Sequence, residues 1–205
     1  VSTPSGTVTK AAAYEAWTPT SLPGARVYQS DQGVEAAETT AASWHQWGKL
    51  TNGKTIKAWH AQPEFKLSNA GKFQFRLGAE FFSGNETGSA SDADNSFVPL
   101  FGSGHAFNGS LDLFTKFPAD VAGCGFVNPY LFINYALSSK LDLRADFHYF
   151  ATLETPVISE TSLNKYLGFE NDLLLVWKPG STTRIETGIS YASLTEDCEK
   201  LKKAQ

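Results

Sequence analysis

Hydrophobic and polar residues alternate with a period of two along much of the chain from Trp59 onward. In the segment 72–82, phenylalanine, leucine and alanine occupy the odd positions, and the even positions up to 80 carry polar residues or glycine. The segment 59–67 alternates in the same way and leads into Ser68-Asn69-Ala70-Gly71, a sequence typical of a tight turn. We therefore predict two paired strands, each with one apolar face and one polar face.

Two further hairpins are predicted from the same pattern. The segments 127–137 and 141–149 alternate and are joined through Ser138-Ser139-Lys140. The segments 167–177 and 183–193 flank a connection that contains a Pro-Gly dipeptide, which is a strong turn signal. The predicted fold class is therefore all-β, with consecutive antiparallel strands.

The lengths of the strands and connections favour a membrane barrel. Each predicted strand has about 9 to 11 residues, which suits a tilted strand crossing a bilayer, whereas soluble strands usually have about five or six. The short turns fall on one side, and the long connections 84–126 and 152–166 fall on the other, as in outer-membrane barrels with periplasmic turns. The prediction is an antiparallel up-and-down transmembrane β-barrel. An aromatic girdle is predicted at its external rim, formed by Phe81, Phe82, Phe126, Tyr149, Phe150 and Tyr191.

Composition excludes several other classes of protein. With 41% hydrophobic and 13% aromatic residues the chain is not disordered, and a formal charge of −4 leaves no positive surplus for nucleic acid. No apolar run approaches the roughly 18 residues of a membrane-spanning helix.

The two cysteines, Cys124 and Cys198, have no metal-ligand spacing. We expect both at the external rim and unbonded, because the intervening strands hold them apart.

The segment 111–117 resembles a strand but cannot be a single crossing. It lies between an outward and an inward strand, so one extra crossing would break the alternation of directions. Our hypothesis is that it belongs to a long external loop that folds over or into the barrel mouth as a constriction. A small surface hairpin is the alternative.

The polar side chains of the strands would line the lumen of such a barrel. Unpaired charges on a narrow wall are costly, so Arg76, Arg144 and Arg184 are expected to lie among five carboxylates, namely Glu80, Asp142, Asp146, Asp172 and Glu186. Five positive residues face seven negative ones, which argues against a positive lining for a polyanion. The predicted lumen-lining residues are His60, Glu64, Lys66, Lys72, Arg76, Glu80, Asp142, Arg144, Asp146, His148, Glu170, Asp172, Arg184 and Glu186.

Four stretches of sequence carry a family resemblance. They are Ile56-Lys57-Ala58-Trp59 with Pro63-Glu64, the segments 78–85 and 97–109, and Asp146-Phe147-His148-Tyr149-Phe150. These stretches resemble the C-terminal part of the alginate-export-like family of outer-membrane β-barrels, over about residues 55 to 197. The resemblance implies a barrel in the bacterial outer membrane, surrounded by outer-membrane lipid, that passes anionic polysaccharide or another hydrophilic solute. The long external connection 84–126 supplies the candidate residues of an external loop or constriction, which are Phe97, Pro99, Phe101, His105, Phe107, Asn108 and Asp112.

The chain is expected to be an incomplete part of a larger barrel. Residues 1–54 are interpreted as a candidate strand near 7–17 plus a long external loop. Residues 55–205 are interpreted as the C-terminal part of a barrel that lacks the closing strand and ends in the polar tail 196–205. Open strand edges are not viable in lipid, so further strands are expected.

Covalent chemistry and metal binding are only weakly indicated. Asp146 and His148 point the same way and Ser190 lies in the same sheet, so an acyl-transfer triad is an alternative to ordinary salt bridges. No oxyanion-hole glycine motif accompanies these residues, and the oxygen-rich run 92–95 lacks EF-hand spacing. We therefore expect no catalytic residue, no cofactor and no metal.

Two functional classes follow from the pattern. The first is an outer-membrane channel or porin-like exporter without covalent chemistry. The alternative is a soluble β-sandwich or lipocalin-like module that binds a carbohydrate or small ligand, with the polar face outside and the rings in a core. Trp44 and Trp47 are open to two interpretations, as a sugar-stacking pair or as the packing of a loop onto the barrel.

Overall fold

One antiparallel sheet dominates the protein. The computed structural model describes residues 14–16, 36–69, 72–88, 91–99 and 108–203. In these residues eight strands pair side by side in the order β1-β2-β3-β4-β6-β7-β10-β11, while β5 pairs with β3, and β8 pairs with β9 separately. The strands are β1 Tyr14–Ala16, β2 Ala36–Lys49, β3 Thr55–Asn69, β4 Phe73–Phe82, β5 Ala93–Asp94, β6 Phe126–Ser138, β7 Leu141–Ala151, β8 Val157–Ile158, β9 Thr161–Ser162, β10 Tyr166–Trp177 and β11 Ile185–Leu194. A 3-10 helix covers Ala119–Val121, and the helix α1 covers Glu196–Lys203.

The three predicted hairpins are confirmed. β3 pairs with β4, β6 with β7, and β10 with β11, all antiparallel. The first turn is closed by a bond of 2.8 Å from the Lys72 N–H to the Asn69 carbonyl. The turns of these three hairpins lie at one end of the sheet, which we call the turn end. The connections 83–125 and 152–165 lie at the other, which we call the loop end, and so does the short turn 50–54 between β2 and β3. The mostly antiparallel β character predicted from the sequence is thus confirmed.

The register divides the sheet into two faces of opposite chemistry. Arg76 pairs with Phe132, which pairs with Asp146, which in turn pairs with Asp172, so this row defines one face. The neighbouring row, Leu77, Leu131 and Phe147, defines the other face. We call them the polar face and the apolar face. The predicted assignment of the alternating positions to opposite faces is confirmed by this register.

Burial of the two faces is the reverse of that in a soluble sheet. On the polar face Glu170 is 0% exposed and Glu80 2% exposed. On the apolar face Leu77 is 50% exposed and Ile189 71% exposed. Charged side chains are almost never fully buried unless they are paired, so the polar face must supply partners for its own charges.

A loop packs onto the polar face near the loop end. Residues 108–125, which we call the inner loop, insert Phe114 against Phe126 and Phe150, with ring centroids 5.1 and 4.8 Å apart. The Phe114 side chain is 1% exposed. The segment 111–117 forms no strand. The segment therefore packs as a loop on the polar face and does not form a surface hairpin, whereas its role as a constriction of a barrel mouth stays a prediction.

The predicted aromatic girdle is half wrong. Tyr149 and Tyr191 are exposed on the apolar face, and Phe81 is half-buried there. The other three rings, Phe82, Phe126 and Phe150, lie on the polar face and are buried beneath the inner loop. The reason is geometric, because adjacent residues of a strand point to opposite faces and Phe81-Phe82 and Tyr149-Phe150 are adjacent pairs.

The N-terminal region differs from the predicted long external loop. Residues Ala36–Lys49 form the 14-residue strand β2, which pairs along its whole length with β3. Alanine, serine and threonine occupy most of its first half, so no period of two is visible there. The candidate strand near 7–17 overlaps β1 at residues 14–16, and its remaining residues lie outside the described part of the chain.

The C-terminal residues form a docked helix, where the sequence predicted a polar tail. Thr195 caps α1, because its hydroxyl accepts the Cys198 N–H at 3.1 Å. Cys198 and Leu201, one turn apart, are buried against the inner loop and β10. Lys202 places its ammonium 4.5 Å from the centre of the Phe114 ring. The helix thus closes the outer side of the aromatic cluster.

The two cysteines are unbonded, as predicted, and both lie at the loop end. Both side chains are buried, and burial raises the pKa of the Cys124 and Cys198 thiols. Their position at one end of the sheet agrees with the expectation, and that this end is external stays a prediction. Among the described residues, no helix combines the length and the hydropathy that a membrane crossing requires.

The packing of α1 predicts the reactivity of Cys198. We expect its thiol to react with a maleimide roughly 100-fold more slowly than that of a Ser139→Cys control, because it must first be exposed by local opening. Leu201→Ala should undock the helix and raise the Cys198 rate while leaving the control rate unchanged. Equal native rates at Cys198 and at position 139 would contradict the docked helix.

Candidate functional site

The polar face carries a cluster of charged and aromatic side chains at its centre. Glu64 accepts two bonds from Arg76, from Nε at 3.0 Å and from Nη2 at 2.6 Å. The Tyr130 hydroxyl donates to Glu64 Oε2 at 2.8 Å, and Gln62 donates to that hydroxyl at 3.2 Å. Gly78 makes room for this arrangement, because a Cβ there would lie 2.4 Å from the Tyr130 ring. The charged pair is thus held by donors from three neighbouring strands.

Two arginines flank a phenylalanine in this cluster. The guanidinium carbons of Arg76 and Arg144 lie 5.2 and 5.6 Å from the centre of the Phe132 ring, within cation–π range. Arg144 also binds Asp146 through two nitrogens, at 2.8 and 2.5 Å. The Arg144 side chain is 41% exposed, whereas the Asp146 side chain is only 5% exposed. We call Arg76, Phe132 and Arg144 the arginine row.

A second cluster joins the polar face to the inner loop. Glu170 accepts the Leu111 N–H at 2.8 Å, and Asp172 accepts the Ser110 N–H at 3.2 Å. Gly109 permits this close approach, because a Cβ there would lie 2.5 Å from the Glu170 carboxyl group. Two buried carboxylates on β10 therefore fix the backbone of the inner loop.

An amide chain continues this contact across the sheet. Asn128 donates to Asn108 Oδ1 at 3.0 Å, and His148 Nδ1 lies 3.1 Å from Asn128 Oδ1. Asn108 also donates to the Phe114 carbonyl at 3.1 Å. The inner loop is thus bonded to β6 as well as to β10.

A histidine–glutamate pair lies near the loop end of β3 and β4. His60 Nε2 is 2.7 Å from Glu80 Oε1, and both side chains are buried. Rings of Trp44, Phe82 and Phe97 surround the imidazole at 4.7 to 5.4 Å. This pair is enclosed by aromatic side chains and does not face an open surface.

The structure brings most predicted lumen residues together as ion pairs. Besides the pairs above, Lys66 binds Glu38 at 3.4 Å, Lys178 binds Asp142 at 2.5 Å, and Arg184 binds Glu186. The expectation that Arg144 and Arg184 lie among the named carboxylates is confirmed, and Arg76 pairs with Glu64. Lys72 is exposed at the turn end, apart from the central cluster.

The predicted external-loop residues have several locations. Phe97 and Asn108 are buried, Pro99 is half-buried, and Asp112 is exposed with a left-handed φ of 55°. Phe101, His105 and Phe107 lie outside the described residues. Asn108 and Asp112 therefore belong to the inner loop, whereas Phe97 packs on the ring of His60.

Sequence reasoning missed several residues of the polar face. The missed residues occupy alternate positions of β6 and point to the polar face, namely Asn128, Tyr130 and Phe132. The residues between and beside them point to the apolar face, among them Val127, Leu131 and Ile133. The period that identified the apolar positions of this strand also identifies these residues. These residues were not identified because two of them are aromatic, whereas the polar face was expected to carry only polar side chains.

Two other interpretations of the sequence are not supported by the contacts. His148 bonds Asn128 and Asp146 bonds Arg144, so these side chains do not form a triad with Ser190. Asp94 accepts bonds from Asn85 and from the Ser96 N–H, and no metal-binding group of three is found in the described part of the chain.

Trp44 and Trp47 do not form one platform. They lie three residues apart on β2 and therefore point to opposite faces. Trp44 contacts the His60 ring on the polar face, whereas Trp47 is exposed on the apolar face. The interpretation of the two rings as a shared sugar-stacking surface is therefore wrong. Trp44 instead packs against the ring of His60.

Comparisons of the chain with protein-family models, with curated proteins and with solved structures gave no match.

Gly109 provides a test of how the inner loop is held. Gly109→Ala should lower the free energy of unfolding by about 1 to 3 kcal/mol more than Gly53→Ala, because its methyl group displaces the Glu170 carboxyl group. Gly53 is a matched control, since its φ is also positive and nothing lies within 4 Å of an added Cβ. Urea titration of both variants gives the difference. Equal losses would show that the contact between Gly109 and Glu170 does not hold the loop.

Proposed function

We propose that the chain forms part of the wall of an outer-membrane β-barrel that passes hydrophilic solutes. The polar face lines the lumen, the apolar face contacts lipid, and no residue performs covalent chemistry. The observation that carries this proposal is the reversed burial, with Ile189 and Leu77 exposed while Glu170 and Asp146 are buried. Barrels in lipid have this arrangement, because their outer surface must be apolar and their lumen is polar.

Strand length supports the same function. The strands β4, β6, β7, β10 and β11 have 10 to 13 residues, and β2 and β3 have 14 and 15. Tilted strands of about 9 to 11 residues cross a bilayer. In this proposal the turn end is periplasmic and the loop end is external.

The barrel is completed by further strands. In the described sheet β11 pairs on one side only, with β10. An unpaired strand edge cannot remain in lipid, because its backbone N–H and C=O groups would have no partners. We therefore propose that another strand adds to β11.

The inner loop acts as a constriction. It lies against the lumen face and is fixed by Glu170, Asp172 and Asn128, so it narrows the passage at the external end. Below it, Arg76 and Arg144 present guanidinium groups more exposed than the carboxylates that bind them. A solute with anionic groups, such as an anionic polysaccharide, is the cargo class that this lining favours, in agreement with the family resemblance.

A soluble binding module is the second candidate. Its apolar face would remain in water, with Tyr135, Phe147 and Leu173 each 40% exposed or more and close together in the register. Soluble monomers rarely expose contiguous apolar patches of more than a few hundred Å². The apolar face therefore favours lipid contact.

Substitution of Ile189 separates these two functions. Ile189→Lys should destabilise the complete barrel in lipid by about 2 to 4 kcal/mol, because it places a charge near mid-membrane on the lipid face. Ser190→Lys is the matched control, since it points to the polar face opposite Asp172. Insertion into liposomes, measured by flotation and protease protection, should fall for the first variant alone. In a soluble module Ile189→Lys would be neutral, and that result would overturn the proposal.

Arg144 provides a test of the lumen lining. Arg144→Gln should shift the ion preference of the complete barrel toward cations, because it removes an exposed cation and leaves Asp146 without its ion pair. Reversal potentials in planar bilayers under a salt gradient measure this preference. Lys203→Gln, at an exposed position of α1, should leave the reversal potential unchanged. Equal shifts in the two variants would count against a lumen position for Arg144.

A further inference from the structure

Two cavities meet at the turn end of β7, β10 and β11. The first, with a volume of about 590 Å³, lies between the turn at 139–140 and the connection 178–184. The second, of about 470 Å³, lies against Leu141, Leu175, Trp177 and Ile185. Lys140 lines both cavities.

The first cavity is basic. Its lining contains Lys140, Lys178 and Arg184, with hydroxyl groups from neighbouring serine and threonine residues. Lys178 binds Asp142 and Arg184 binds Glu186, so two of the three cations are already paired. None of the ion pairs in the described residues involves Lys140. The cavity therefore holds an excess of one positive charge, carried by the lysine that reaches both cavities.

The second cavity is apolar and belongs to the apolar face. Leu141, Trp177 and Ile185 stand side by side in the register across three strands. Trp177 is 48% exposed and Ile185 47% exposed, so the groove has no cover from the described chain. A tryptophan at the end of a membrane strand typically lies at the level of the lipid headgroups.

The shape between the turns is fixed by the backbone. The Lys178 N–H donates to the Lys140 carbonyl at 2.8 Å, which joins the two turns. The Lys140 N–H bonds the Ser138 hydroxyl at 3.2 Å. The turn at 139–140 is thus held against the start of the connection 178–184.

We propose that these joined cavities bind one anionic phospholipid, with its phosphate beside Lys140 and an acyl chain along Trp177 and Ile185. The inference rests on the proposed function, because the groove must face lipid. Charge complementarity selects the headgroup, since the excess cation lies where the basic cavity opens onto the apolar groove. A lumen solute would reach only the basic half of this site, because Lys178 and Arg184 belong to the polar face whereas the apolar groove lies on the face opposite the arginine row.

Lipid retention tests this site. The complete barrel is reconstituted with equal amounts of phosphatidylglycerol and phosphatidylcholine, extracted in mild detergent, and its retained lipid is counted by native mass spectrometry. Lys140→Gln should lower retained phosphatidylglycerol by about fivefold, as expected for one cation near a headgroup. Lys140→Arg keeps the positive charge and should leave the amount of retained phosphatidylglycerol unchanged. Lys203→Gln, which removes a distant exposed cation, should also leave this amount unchanged. Trp177→Ala should lower the retention of both lipids.

The possible failures are distinguishable. Flotation with liposomes reports insertion separately, and a protein that does not insert overturns both the proposed function and this site. Normal insertion with equal phosphatidylglycerol retention in the wild type and Lys140→Gln overturns the lipid site alone. If inorganic phosphate binds with the same dependence on Lys140, and Trp177→Ala has no effect on either lipid, the occupant is a free phosphate and the phospholipid assignment is wrong.

Discussion

Buried carboxylates on the polar face determine how the rest of the structure is arranged. Glu80, Asp146, Glu170 and Asp172 are almost fully buried, and a buried charge is costly unless donors surround it. The donors come from three kinds of source: a cation on the same strand for Asp146, a histidine on the next strand for Glu80, and backbone N–H groups of the inner loop for the pair on β10. The register of the strands and the position of the loop are therefore linked, because each must present its donors to a fixed carboxylate.

The inner loop satisfies a second constraint at the same place. Three phenylalanine rings also point to the polar face at the loop end, namely Phe82, Phe126 and Phe150. Without the inner loop these rings would be exposed to solvent. Phe114 and α1 cover them, and Lys202 contacts Phe114 while it also lies 3.7 Å from Asp120. One segment thus supplies hydrogen-bond donors to carboxylates and apolar cover to rings. Displacing it would expose both, which explains why such an irregular segment can keep a defined position.

A strand or helix could be predicted from the sequence where its pattern of residues reflects the surroundings of each of its faces. β4 was predictable because each of its faces meets one kind of surroundings, and its residues alternate accordingly. β2 was not, because its small residues fit either face. The helix α1 was missed although Thr195 and the acidic residues after it form an N-terminal signal, because short helices depend on tertiary packing. The charged members of the site were predictable from their alternate positions, whereas their partners in the inner loop were not, because a loop contact has no period.

Counting charges on a strand face does not give the field that a solute would meet. Seven acidic and five basic residues suggested a negative lining, but the central carboxylates lie deeper than the arginines that bind them. A long guanidinium side chain reaches over its shorter carboxylate partner, and Phe132 supports the two arginines from between them. The accessible surface at the centre of the polar face is therefore more positive than the count of charged residues on that face suggests. Since Glu64 and Asp146 are each neutralised by an arginine, the selectivity of such a wall depends on which partner of each pair lies nearer the solute.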